Sequence, residues 1–248
     1  MKINDDIKII HEDEALLVLD KPSGLIVNRS NTTKDKTLQD FLEDYLELFS
    51  PDEASDNSEA SNNSSEEPTP QQIFTRRSGL AHRLDKGTSG IILVAKDPET
   101  LRYLMSQFKT RKVKKEYIAL THGKLKDPLI EVNAPIARNP KNRFKFAVVE
   151  GGKSAKTTFR LLNFKEKYSL VQAQPKTGRT HQIRVHLSAL NHPVVGDKTY
   201  APKSSYQEDK AQFGRLMLHA KQIEIYHPLS RKKVTYATQV PTEFQKYY

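Results

Sequence analysis

The chain has 248 residues, 36% of them hydrophobic, with a formal charge of +10. That length buries a substantial core, and the absence of cysteine excludes a disulfide scaffold, a thiolate metal site and a cysteine nucleophile. No run reaches membrane-helix length and the acidic start "MKINDDIKII" is unlike a secretory leader, so a cytoplasmic protein with no membrane partner is expected.

In chain order, "IKII" and "ALLVLD" read as short strands, followed by the turn "KPSG" and an extended "LIVN". Thr37 is placed to cap a helix over 38–49, where Leu38, Phe41, Leu42, Tyr45, Leu46 and Phe49 recur at helical spacing and Pro51 stops it. Residues 51–72 carry six carboxylates, no Lys or Arg, and nothing apolar larger than alanine, which predicts a disordered insertion within one domain. "SGIILVAK" is a buried strand, and Asp97–Pro98 cap a helix displaying Leu101, Leu104, Met105 and Phe108. From 129 to 174 the pattern is β, with a hairpin expected around Gly151–Gly152. Helical spacing resumes after Thr180, a predicted cap, and stops at Asn191; "RLMLHAKQIEIYHP" and "KKVTYATQV" close the chain as strands. Strands outnumber helices without alternating with them, so the fold class expected is α+β with a mixed, mostly antiparallel sheet.

Without the six carboxylates of 51–72 the remaining chain carries +16, a charge that attracts polyanions, RNA or DNA first. Two runs concentrate it: Lys109 to Lys115, which includes Lys112 and Lys114 and leads to Tyr117, and the loop with Arg138, Lys141, Arg143 and Lys145 interleaved with Phe144 and Phe146. Cations follow phosphates and aromatics stack on bases, although either run alone is equally a solvated face.

Candidate chemistry centres on "HRLDKGTSG", residues 82–90. Asp85 is a carboxylate bracketed by His82, Arg83, Lys86 and two glycines; by itself such a residue is more often a turn former. The segment "PKTGRTHQIRVHL" places Arg179, His181, Arg184 and His186 close together, more cations than a solvated face needs, with Arg184 and Leu187 on a shared helical face. Its "KTG", with "SQFK" at 106–109, mimics an acyl-transferase pattern, but no S-D-N-like element lies between them. The eight histidines show no H-x-x-x-H or H-E-x-x-H spacing, so no metal or cofactor is expected and structural or RNA-contacting roles are assigned to them. Asp197 after Gly196 is the one plausible second carboxylate, and a turn role fits it better than paired-carboxylate hydrolysis.

Six ordered segments, "VLDKPSGLIV", "HRLDKGTSGIILVAK", "KEYIALTHG", "VVEGGKSAKTTFRLL", "TGRTHQIRVHLSALNHPVVGDKTY" and "RLMLHAKQIEIYHP", together resemble the RluA-type RNA pseudouridine synthases. The resemblance implies the catalytic fold of that family with a cleft across its sheet, and isomerisation of uridine in rRNA or tRNA without a cofactor; some members carry an N-terminal S4-type domain, and none is expected here because the first family-like strand starts by about residue 15. It implies Asp85 as the catalytic aspartate, Tyr117 as the tyrosine that stacks on the base, Arg184 as the partner of the aspartate, Leu187 as a pocket residue and Arg83 beside the flipped nucleotide. Lys112, Lys114, Arg143 and His181 are the further substrate contacts expected, and a monomer the expected state. A catalytically inactive RNA-binding protein of the same fold is the alternative.

Overall fold

The computed structural model describes residues 7–30, 35–48 and 67–248. The two N-terminal strands form as the sequence indicates: β1 (Lys8–Glu12) and β2 (Leu16–Lys21) make an antiparallel hairpin. Asp13 closes it, its Oδ1 accepting from the amides of Ala15 and Leu16 at 2.9 and 2.8 Å. Helix α1 (Leu38–Tyr45) starts at Thr37, whose hydroxyl and backbone N–H exchange bonds with Asp40 in a full capping box. It is shorter than expected, because Glu47 takes a left-handed backbone (φ 51°) before the apolar run ends. The expected disorder of 51–72 lies largely outside the described residues, but its final residues are ordered: Thr69 caps α2 (Pro70–Arg77), so Pro70–Gln72 belong to a helix. The start of this helix carries no apolar residue before Ile73, so the sequence pattern gives it no helical period to read.

Strand β3 (Ser89–Ala95) is buried throughout and pairs with β2. Successive residues of the two strands feed opposite faces of the sheet. Leu16, Val18, Ile91 and Leu93 pack against Phe74 of α2 and Leu101 and Leu104 of α3 (Pro98–Lys109). Leu17, Leu19, Ile92 and Val94 meet Leu38 and Leu42 of α1. Asp97 caps α3 as expected, accepting from the Thr100 amide.

The remaining strands are β4 (Lys114–His122), β5 (Leu129–Asn133), β6 (Ile136–Asn139), β7 (Asn142–Val148), β8 (Lys156–Lys165), β9 (Tyr168–Pro175), β10 (Leu218–Tyr226) and β11 (Lys233–Ala237). With α4 (Gln182–Ala189), α5 (Lys203–Phe213) and α6 (Thr242–Gln245) they complete an α+β fold. The main sheet runs β1-β2-β3-β10-β4-β9-β8-β5, with β11 added to β10; β3–β10 is its parallel pair and the others are antiparallel. The hairpin expected at Gly151–Gly152 is elsewhere. β7 pairs with β6 through the turn at Asn139–Asn142, whereas the Gly–Gly turn leads from β7 into β8, which joins β9 and β5. A strong local turn signal does not by itself choose the partner strand.

The parallel contact is short, Ser89 beside His219 and Gly90 beside Ala220, and it sets the strand order around the site. Gly90 has φ +110°, and a Cβ there would lie 2.3 Å from the Ala220 carbonyl oxygen. Gly90→Ala is therefore expected to lose at least about 2 kcal/mol in denaturant unfolding, from backbone strain plus separation of the two strands. Beside it, the Arg215 guanidinium donates to Ser89 Oγ, which leaves the hydroxyl hydrogen for His219 Nδ1 at 2.8 Å. Burial, then the charges of Arg215 and Lys221, lower His219 to about 4. A histidine lowered in the folded state is charged only at the cost of stability, so stability falls as pH drops from 6.5 toward 4. Between pH 7 and 5 this one group is expected to remove about 2 kcal/mol; urea titrations should show that dependence flattened in His219→Gln.

Candidate active site

A cleft of about 580 Å³ opens over β4, β9 and β10, between the C-terminal end of α3 and the start of α4. Asp85 stands in its wall amid seven cationic side chains: Arg83, Lys109, Arg111, Lys115, Lys176, Arg179 and Arg184. One carboxylate against so many cations makes a site for a polyanion in which a single acidic group is held in reserve.

Asp85 lies on the extended approach to β3, in a loop tied down from below. Its carbonyl accepts from the Thr88 amide, the Lys86 carbonyl accepts from the Gly24 amide, and Ser23 Oγ donates to the Gly87 carbonyl at 2.6 Å. Lys21, 0% exposed, donates its ammonium to the carbonyls of Pro22 and Leu25 at 2.8 Å and of Lys86 at 3.3 Å. Burial, then Arg215, pulls Lys21 down to about 7, while Asp85 and Asp20 work in the opposite direction. The "KPSG" turn is thus the clamp on the loop that carries Asp85. Its sequence signalled a turn; a lysine turned inward to collect carbonyls has no local signature.

Arg184 is the hinge of the charge network. Its Nη1 donates to Asp85 Oδ2 at 2.9 Å, while Nε and Nη2 form a bidentate pair with Asp197 at 2.7 and 2.9 Å. Burial opposes the guanidinium charge, but the bonds and charges of Asp197 and Asp85 raise it well above the ordinary arginine value. Asp197 also accepts from the amides of Thr199 and Tyr200, so it does form the expected turn and uses that turn to hold Arg184. Gly196 before it has φ +74°, and a Cβ would meet the Arg215 carbonyl oxygen at 2.0 Å; only glycine lets the turn sit there.

The predicted cap of α4, Thr180, is not the cap. His181 occupies that position with a left-handed backbone (φ 56°), and Gln182 folds the preceding loop instead, its Oε1 accepting from Thr177 Oγ1 and the Arg179 amide. The twist turns His181 into the cleft, where Nε2 lies 3.8 Å from Asp85 Oδ2. Tyr200 OH accepts the Phe146 amide and lies 2.8 Å from His181 Nδ1, fixing the ring so that Nε2 faces the aspartate. Burial lowers the His181 pKa, partly offset by Asp85.

Tyr117 sits on β4 as part of the cleft floor; burial, then the charge of Asp85, raise its phenol above the ordinary value, so it stays neutral. Leu187 is different. It is fully buried in the core with Ala119, Phe159 and Ile183, and is not a wall residue; the apolar wall is supplied by Ile183, Leu218, Phe108 and Val113. Position 187 faces the sheet, packed with Ala119, Phe159 and Val171, while Arg184 on the same helix turns toward Asp85. Lys114 is engaged by Glu224 at 3.0 Å beside the sheet, and Lys112 and Arg143 are exposed outside the cleft, whereas Lys109, Arg111 and Lys115 line it. Lys115 donates to the Thr177 carbonyl at 2.9 Å and is lowered by burial to about 8. His186 is structural, bonded to Thr157 Oγ1 and the Ala134 carbonyl.

Comparison with known proteins agrees with this geometry. Residues 15–189 match the family model described as RNA pseudouridylate synthase. The chain is 36% identical over 240 residues to ribosomal large subunit pseudouridine synthase D of Nitrosomonas europaea, covering 96% of this chain and 63% of that one. An uncharacterized RNA pseudouridine synthase of Aquifex aeolicus is 36% identical over 250 residues, with 99% and 73% covered. Among solved structures, human RNA pseudouridylate synthase domain containing 1 superposes with a TM-score of 0.69 at 28% identity, covering 96% of this chain and 86% of that one.

Proposed function

The chain belongs to the RNA pseudouridylate synthase family, whose reaction converts uridine in RNA to pseudouridine, and we propose that it performs this isomerisation with Asp85 as the catalytic carboxylate. The observation that carries the reading is the lone carboxylate among seven cleft cations, clamped by Arg184 on one side and the Lys21 turn on the other. The N1–C1′ bond of the uridine breaks, the uracil turns in place, C5 bonds to C1′, and the hydrogen on C5 leaves as N1 gains one. No atoms are gained or lost beyond that exchange of protons.

The residues divide the work. Arg83, Lys109, Arg111 and Arg179 at the cleft and Lys112 and Arg143 beyond it hold the phosphates, offsetting the few kcal/mol needed to extrude a base. Tyr117 stacks on the extruded uracil, and its neutral phenol is placed for the later proton transfer. Ile183, Leu218 and Val113 limit water around the separated base and sugar, where hydrolysis is the competing outcome.

Ribosomal RNA is the substrate proposed, in keeping with the names of the relatives; a cytoplasmic monomer is proposed alongside it. The test is tritium release from transcripts labelled at uridine C5, large-subunit rRNA against tRNA. Release from rRNA supports the assignment, release from tRNA alone moves the substrate, and release from neither overturns the activity.

A further inference from the structure

A second cleft, of about 450 Å³, shares no residue with the one around Asp85. It lies where the beginning and end of the chain meet, lined by His11 of β1, Asp13 of the β1–β2 turn and His227 just after β10, with Tyr236 of β11 beside them. The ligating atoms of His11, Asp13 and His227 all fall within 4.8 Å of one another.

Both imidazoles point the same nitrogen at the same oxygen. His11 Nε2 is 2.9 Å and His227 Nε2 is 2.8 Å from Asp13 Oδ2. The carboxylate cannot swing away, because its other oxygen is held by the Ala15 and Leu16 amides. The His11 ring is fixed too, its centroid 5.0 Å from that of Tyr236. Two nitrogens and one oxygen thus converge from two stretches of backbone far apart in the chain.

We propose that His11, Asp13 and His227 bind a divalent transition metal of the Zn²⁺ type, which ties the N-terminal hairpin to the β10–β11 hairpin. The donor set selects the ion class: two imidazoles with one carboxylate suit Zn²⁺, Co²⁺ or Ni²⁺, whereas Mg²⁺ and Ca²⁺ take oxygen shells. The spacing is within reach: donors bound at roughly 2.1 Å to one tetrahedral ion are about 3.4 Å apart, and the three donors here lie within 4.8 Å of one another, so the rings need shift only slightly to seat it. The cleft is open, so water completes the coordination. Without metal the same atoms form a hydrogen-bonded clasp in which each Nε2 carries a proton. His227 Nδ1 then faces the Leu229 and Ser230 amides at 3.3 and 3.4 Å. Metal binding moves the His227 ring proton to Nδ1, and these two long contacts open.

The test uses the tag-free full chain. One equivalent of Co²⁺ is expected to saturate a visible absorption band that Zn²⁺ abolishes. Excess ZnCl2, but not MgCl2, is expected to raise the unfolding temperature by at least about 3 °C. His11→Phe keeps the ring against Tyr236 and removes the donor; His227→Gln removes another; Asp13→Asn keeps an acceptor for the two amides. Each is expected to weaken Co²⁺ uptake at least tenfold. Absence of saturable uptake by the parent chain overturns the proposal, as does equal uptake by the folded variants. Variants that lower the unfolding temperature equally with and without Zn²⁺ overturn it in favour of the clasp alone.

Discussion

Asp85→Asn is expected to abolish tritium release, by at least about a thousand-fold, while leaving RNA affinity within a few-fold of the parent chain. Asparagine retains an oxygen for Arg184 Nη1 and matches the shape of the loop, so the Lys21 clamp and the Asp197 pair remain in place. What is lost is the negative charge and the lone pair that would act on the nucleotide. The phosphate-facing cations are untouched, so binding to a transcript, measured by filter retention, should persist. Retention of a tenth of the parent activity would remove Asp85 from the chemistry and leave it as a loop-shaping residue. The separation of kcat from binding is what distinguishes a reacting carboxylate from a structural one.

Arg184→Met is expected to cost both stability and activity, and for different reasons. Asp197 is 1% exposed, and without the guanidinium it keeps only the Thr199 and Tyr200 amides. An uncompensated buried carboxylate costs about 3–5 kcal/mol, visible in urea unfolding. Adding Asp197→Asn removes the stranded charge while preserving the turn, so the double variant should recover much of the stability and none of the activity, because Asp85 still lacks its partner. Arg184→Lys should recover little of either: a single ammonium cannot span two carboxylates that the guanidinium meets with three nitrogens. If the double variant is no more stable than Arg184→Met, the buried charge is not the source of the loss.

The sequence made local devices readable and long-range ones obscure. Thr37 and Asp97 cap helices through bonds three residues away, so both starts are visible in the chain. α5 is invisible because its surface is polar almost all round; among its described residues only Asp209 is buried, and it has no apolar period to read. The Gly151–Gly152 turn was legible as a turn but not as a crossover, since strand pairing is decided by partners tens of residues away. In the site, Asp85, Tyr117 and Arg184 came from the family resemblance and meet in one cleft. Leu187 did not follow: three residues on from Arg184, it packs against the sheet with Ala119 and Phe159 instead of lining the cleft. Lys21, Gln182 and the second role of Asp197 act through backbone carbonyls and one distant guanidinium, which leave no spacing pattern. The His11–Asp13–His227 cluster leaves no spacing motif, because Asp13 and His227 are 214 residues apart.

The parallel contact between β3 and β10 has a consequence for how the molecule is made. Gly90 and Ala220 must meet before β3, already paired with β2, has its second neighbour, and Arg184 reaches Asp85 across 99 residues of chain. Contacts so distant along the polymer carry a large loop-closure entropy and form late. A nascent chain on the ribosome therefore holds Asp85 in an unfinished setting until α4 and β10 have emerged, and a chain cut short before β10 would carry the whole "HRLDKGTSG" stretch without the strand that meets Ser89 and Gly90.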